Sequence, residues 1–349
     1  LISELGTNVD PYMDTLVNTV LYCLVYSCRH LGGAAAESTA DAEDHEEKSS
    51  DHSLLRVTRS LGIKCLNSLF QNAQGFQWDP YQDIILVEVV APRLENLPVE
   101  TTQGISGLLQ LMSTWSVLPK SALFLGPHGK SLPEGVLPKL ITCLSIEKTK
   151  DEVKIFVLGI LQSLVKLALA PANESEFNEV IKDELLDPNA EAMLVNISTV
   201  VKTTTISNDL LEASVETILA SAPILQDLKN AQSVIRICSF LLQQPPRRVN
   251  PKTKGRILLI VERFVALPDA AEDPALLGEV YNTLSSLFSY FKDRENRQSL
   301  SRAMIAISEQ DAEVAEVASL CKELNSFKEG RLDEPDYDRR LASFTAIST

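Results

Sequence analysis

The sequence predicts an all-α protein, an α-solenoid of about six to seven HEAT-like antiparallel helix pairs wound superhelically. Three observations carry that expectation. Hydrophobic residues make up 45% of the 349 positions but aromatics only 6%, so the apolar content is aliphatic and suits packed helices better than an aromatic-rich sheet. Apolar side chains recur at spacings of three and four, and no convincing period-two stretch interrupts them. Helix pairs are expected to begin near 10, 79, 132, 187, 226, 273 and 310, and the later spacings bracket the ~40–47 residues of HEAT and armadillo repeats.

The helix starts come first. "VDPYMDTLV" at 9–17 and "WDPYQDIIL" at 78–86 share Asp-Pro-Tyr-x-Asp. Asp suits an N-cap, Pro suits the first turn, and a second Asp still lies near the positive end of the helix dipole. The repeat therefore reads as architecture, and Asp187-Pro188 and Asp273-Pro274 are read as starts of the same kind. After Pro11 the stripe runs Leu16, Val17, Val20, Leu21, Leu24, Val25 and Cys28; after Pro274 it runs Leu276, Leu277, Val280, Leu284, Leu287, Phe288 and Phe291. Each such side chain is worth ~1.5–3 kcal/mol when fully buried, so the helices need neighbours on more than one side. Helices are expected at 10–31, 52–73, 79–97, 102–117, 132–146, 150–170, 188–204, 207–222, 226–244, 252–267, 274–291, 294–308, 310–328 and 334–348. The unit most like a HEAT repeat is "LPKLITCLSIEKTKDEVKIFVLGILQSLV" at 137–165, with Asp151 placed to cap its second helix.

Residues 1–349 are expected to form one continuous array with two departures. "GGAAAESTADAEDHEEKSSD" at 32–51 has seven acids against one Lys and little to bury, so it reads as a disordered acidic insertion. "PPRRVNPKTKGR" at 245–256 reads as a basic inter-helix loop, with Arg247, Arg248, Lys252, Lys254 and Arg256 and no acid. Those five are the candidate contact with RNA or with an acidic partner surface; the plainer reading is a loop whose charges are simply solvated. If all five met phosphates of a single strand, the salt slope of binding would be about −3.5. The absence of interleaved aromatics argues against base stacking there.

Composition narrows the function classes. A formal charge of −15 does not suit a surface coated in phosphate-binding side chains, though it allows a local basic contact. Six scattered cysteines without CxxC read as reduced core thiols of an intracellular protein. No apolar run reaches the ~18 residues of a membrane-spanning helix. No HExxH, metal-ligand spacing, GxSxG elbow or kinase signature occurs. "GPHGKS" at 126–131 lacks the four residues that separate the glycines of a phosphate-binding loop. No catalytic residue, metal site, cofactor or small-molecule substrate is expected. The missing initiator Met and the helix-like last residues point to an internal piece of a larger protein.

Several stretches then resemble one family. "LLRVTRSLGIKCLNSLFQNAQGFQWDPYQDIILVEVVAPRLENLP" (54–98), "SGLLQLMSTW" (106–115), "KDEVKIFVLGILQSLV" (150–165), and the run from "LFSYFKDRENRQSLSRAMIAIS" to "LCKELNSFKEGRLDEPDYDRRLASFTAIS" (287–348) are similar to the DRIM (down-regulated in metastasis) family. That family is the very large HEAT-repeat, U-three small nucleolar RNA-associated component of the small-subunit processome. The resemblance implies a non-enzymatic nucleolar scaffold in 18S ribosomal RNA maturation. Its partners would be assembly-factor proteins, with local contact to pre-ribosomal RNA. The alternative within solenoids is a nuclear transport receptor or a phosphatase-type scaffold.

Overall fold

The structure, a computed structural model, describes residues 10–33, 45–73, 75–171, 177–267, 273–310, 314–331 and 334–348. Nearly every described segment is helical, and among the described residues the only strand-like pairings are two isolated bridges, His128 with Leu132 and Phe327 with Pro335. The chain divides into two compact units, Leu1–Asn196 and Ile197–Thr349.

In unit 1 the first two helices are α1 (Met13–Gly33) and α2 (His45–Asn72). Met13, Val17, Leu21, Leu24 and Cys28 of α1 are buried, as the stripe demands. Gly62 of α2 lets the two helices close: a Cβ there would lie 2.8 Å from Leu24 Cδ2. Next come a 3-10 turn at Asp79–Tyr81, a widened π-type segment at Ile84–Val90, α3 (Ala91–Leu94) and α4 (Leu97–Glu100). They are followed by α5 (Gly107–Trp115), α6 (Pro119–Ala122), α7 (Leu137–Thr142) and α8 (Asp151–Ala168). A run then passes through α9 (Asn178–Val180), Ile181–Leu186 and Asp187–Asn189 into α10 (Ala190–Lys202), whose residues from Ile197 on belong to unit 2. α1 packs on α2 and on Ile84–Val90, α2 on α5, α5 on α8, α4 on α7, and α8 on Ile181–Leu186. Contacts thus run to the next element and to its equivalent in the following pair, the packing logic of a solenoid. The core gathers both tryptophans: Phe70 stacks on Trp78 at 3.7 Å, and Trp115 and Phe124 meet it edge-on.

Unit 2 keeps the same rule. Its helices are α11 (Asn208–Ser221), α12 (Leu228–Gln243), α13 (Pro251–Val265), α14 (Pro274–Tyr290), α15 (Arg294–Gln310), α16 (Ala315–Leu324) and α17 (Tyr337–Ser348). α11 packs on α13, α12 on α13 and α14, α13 on α15, α14 on α15, α15 on α16, and α16 on α17. Side-chain caps among the described residues include Ser106 in unit 1 and Ser207, Asp227, Asn250, Asp273, Asp293 and Asp336 in unit 2, each accepting from the backbone N–H three residues on.

Four expectations need correction. The acidic insertion is shorter than 32–51, because α2 already begins at His45; residues 34–44 lie outside the described residues. The expected helix at 79–97 is not regular. Pro92 has no N–H and would crowd the carbonyl of Glu88, and the backbone widens just before it, with Ala91 N–H donating to Leu86 O. Asp79 and Asp151 do not cap: the cap positions are Trp78 and Lys150. Asp79 instead accepts from Lys120 Nζ at 2.7 Å, and Tyr81 donates to Asp14 at 3.1 Å, so the two copies of the opener touch. Asp187-Pro188 starts no new helix; it is a 3-10 turn inside a helical run that begins at Asn178, and Asp187 takes Lys182 Nζ at 2.7 Å. "GPHGKS" is a tight reversal in which His128 and Leu132 exchange backbone hydrogen bonds of 2.8 and 3.1 Å.

Candidate polyanion-binding surfaces

Asn250 decides how the basic stretch is folded. Its Oδ1 accepts the Thr253 N–H at 2.8 Å, and Pro251 fills the first turn where no donor is missed. α13 therefore starts at Pro251, and Lys252, Lys254 and Arg256 lie on a helix; the inter-helix loop is shorter than the expected 245–256.

The five candidate cations are put to different uses. Lys254 is only 4% exposed. Its Nζ donates to Leu242 O at 2.7 Å and lies 4.9 Å from the centre of the Tyr290 ring, and burial pushes its pKa down. Arg248 donates through Nη2 to Val201 O at 2.7 Å and to Thr203 O at 3.0 Å, satisfying carbonyls at the end of α10. It also bonds Gln244 and lies over the Phe240 ring. Arg256 pairs with Glu216 on α11. Arg247 and Lys252 alone of the five are exposed and without an ion pair among the described residues. The stretch presents two cations to solvent; the other three hold unit 2 together.

A denser cationic cluster was not singled out from the sequence. Asp293 caps α15, with Oδ1 accepting the Asn296 N–H at 2.9 Å and Oδ2 the Asn296 amide at 3.0 Å. That fixes Lys292, Arg294 and Arg297 around the first turn. Between α16 and α17 the chain folds back on itself: Lys328 N–H donates to Glu334 O at 3.0 Å, Asp336 N–H donates to Ser326 O at 3.1 Å, and Gly330 turns at φ 74°. Asp336 then caps α17 through Arg339 N–H, which sets Arg340 on its first turn. Arg294 and Arg340 lie 4.9 and 4.6 Å from the centre of the Phe327 ring. Arg297 is held by Asn325 Oδ1 at 2.6 Å and by the Phe288 and Phe291 carbonyls at 3.0 and 3.1 Å; Arg340 Nε donates to Ser326 O at 2.9 Å. These side chains line a cavity of about 490 Å³.

Electrostatically the cluster is only partly compensated. None of Lys292, Arg294, Arg297 and Arg340 has an ion pair within 4 Å among the described residues, and the one acid in the cavity wall, Asp293, keeps its charge while its oxygens accept from Asn296. Burial, and then the neighbouring Arg297 charge, lower the pKa of Arg340, against the raising effect of Tyr337 and Asp336. The adjoining cleft differs: its Arg302 and Arg339 are paired with Glu262 and Glu323. Sequence reading missed the cluster because Lys292, Arg294 and Arg297 alternate with Asp293 and Glu295, and Arg340 follows Asp336 and Asp338. Each run looks neutral, and only the fold sorts the signs. Of the acids at 331–340, Asp336 caps, Glu334 serves Lys328 and Arg331 at 2.6 and 2.8 Å, and Asp333 lies outside the described residues.

Among the described residues no grouping of His, Cys, Asp and Glu could hold a metal ion, and no helix is long and apolar enough to cross a membrane. The chain matches along residues 1–349 the family described as U3 small nucleolar RNA-associated protein 20, N-terminal. It is similar to the U3 small nucleolar RNA-associated protein 20 of Schizosaccharomyces pombe, 23% identical over all of this chain, and to that of Saccharomyces cerevisiae, 24% identical over 99% of it. It spans only 14% and 13% of those relatives' lengths. With a match over its full length, and with the helical pairing that the resemblance implied, the chain belongs to the U3 small nucleolar RNA-associated protein 20 family, in its N-terminal part.

Proposed function

We infer that the chain is a non-enzymatic scaffold segment of a ribosome-assembly factor, organising pre-ribosomal RNA and assembly proteins during maturation of the small subunit in the nucleolus. The observation that carries this is the family match over all 349 residues, with relatives named for association with U3 small nucleolar RNA. The way titratable groups are used supports it. Asp79, Asp187, Asp273, Glu216 and Glu262 are spent on caps and ion pairs between elements, the work of a framework. Both units follow one packing rule, which supports reading them as stretches of a single helical array. Arg247 and Lys252 remain the members of the 245–256 stretch available to RNA or to an acidic partner.

The test is a density gradient of cell extract carrying the tagged chain. Co-sedimentation with large particles that contain U3 small nucleolar RNA is expected. Recovery only in light fractions, bound to a cargo peptide or a regulatory GTPase, would replace this reading with the transport-receptor one.

A further inference from the structure

We propose that the cavity between the first turn of α15 and residues 325–331 and 334–340 is a binding site for the RNA phosphate backbone. Lys292, Arg294 and Arg340 take the phosphates, and Arg297 holds the positive potential behind them. The proposal deepens the reading above and rests on it. Four cations converge on one cavity, and the single acid in its wall, Asp293, offsets only one of them. Such a concentration of like charge calls for a polyanion more than for one carboxylate. The adjoining cleft, with its arginines paired, shows how this region treats cations that have a structural task.

Preorganisation points the same way. A guanidinium fork matches a phosphate in two hydrogen bonds, and the fit costs less when the fork is already held. Arg340 is held by Ser326 O and by the Phe327 ring, and Arg294 by the same ring. The guanidinium planes also offer a nucleotide surfaces to stack against, which an acidic peptide would leave unused. The volume, about 490 Å³, lies within the range of small-ligand sites and suits one or two nucleotide units better than a helix of a protein partner.

Lys292 is exposed without an ion pair, and Arg294 is held by the Phe327 ring with no ion pair among the described residues, so Lys292→Gln with Arg294→Gln is expected to leave the fold intact. Anisotropy of a labelled, mixed-sequence single-stranded RNA oligonucleotide is measured against the 349-residue chain across a salt series. Circular dichroism melts check folding, and Arg247→Gln with Lys252→Gln serves as a comparison variant. Removing two phosphate contacts should reduce the slope of log K against log salt by about 1.4, so that between 50 and 200 mM salt the variant weakens about sevenfold less than wild type. An unchanged slope overturns the proposal, as does an equal loss from both double variants, which would mean diffuse attraction. No RNA binding by wild type also overturns it, while gradient co-sedimentation still reads the scaffold function separately. Capture of a phosphoserine peptide in place of RNA overturns the RNA occupant and makes the cavity a protein-docking site.

Discussion

Lys254 and Lys252 sit two residues apart and carry the same charge, yet one is buried beneath Tyr290 and the other is in solvent. The difference is which face of α13 each occupies, and no local property of either side chain records it. Cys238 is a second residue whose environment outweighs its chemistry. It is 1% exposed on α12, and burial pushes its thiol up to about 12 from 9.0. Between those values the unfolded chain gives up this proton and the native chain keeps it. The native state then binds more protons, so stability falls as pH rises, by about 1.4 kcal/mol per unit from this group alone. Lys254, with its pKa lowered, acts in the opposite sense below its ordinary value of 10.5. Cys238→Ala should therefore lower overall stability by leaving a cavity and also flatten the alkaline limb by one proton. Urea unfolding at a series of alkaline pH values reads both; limbs that stay parallel in the two proteins would contradict the assignment.

At the scale of elements, two glycines separate packing from propensity. Gly62 lies where α2 meets Leu24, and an added Cβ would be 2.8 Å from two atoms of a fully buried side chain. Gly159 of α8 is exposed, with nothing within 4 Å of an added Cβ. Gly159→Ala should stabilise by ~0.5–1 kcal/mol through helix propensity, whereas at Gly62 that gain is outweighed by ~1–3 kcal/mol of overpacking. Chemical denaturation of the two variants should show opposite signs. Helices such as α1, α8 and α14 were legible in the sequence because a stripe at three-and-four spacing has one physical solution. The run before α10 was not. Asp187-Pro188 has the composition of a helix start, and composition alone cannot tell a start from a turn inside an existing helix. The caps were half legible for the same reason: Asp273 caps and Asp151 does not. The cationic cavity was opaque, since Arg297 and Arg340 are separated by a reversal whose closing hydrogen bonds are backbone to backbone.

Within each unit, packing that runs mainly to the next helix and to its equivalent in the following pair makes stability largely a sum of neighbouring terms. A lesion at one seam is felt there and fades along the unit. The charge is equally local in its effects: −15 in total, yet four cations stand around one cavity with a single acid in its wall. The aromatic core of unit 1 has one more consequence, and it is optical. Both tryptophans of the chain belong to that core, Trp78 stacked on Phe70 and Trp115 fully buried, so every photon of tryptophan emission comes from unit 1. The native emission should be blue-shifted, and its loss on heating should trace unit 1 alone while circular dichroism follows all the helices. The protein thus carries an intrinsic label for one of its two units, and superposition or separation of the two melting curves would show, without any dye, whether the units unfold together.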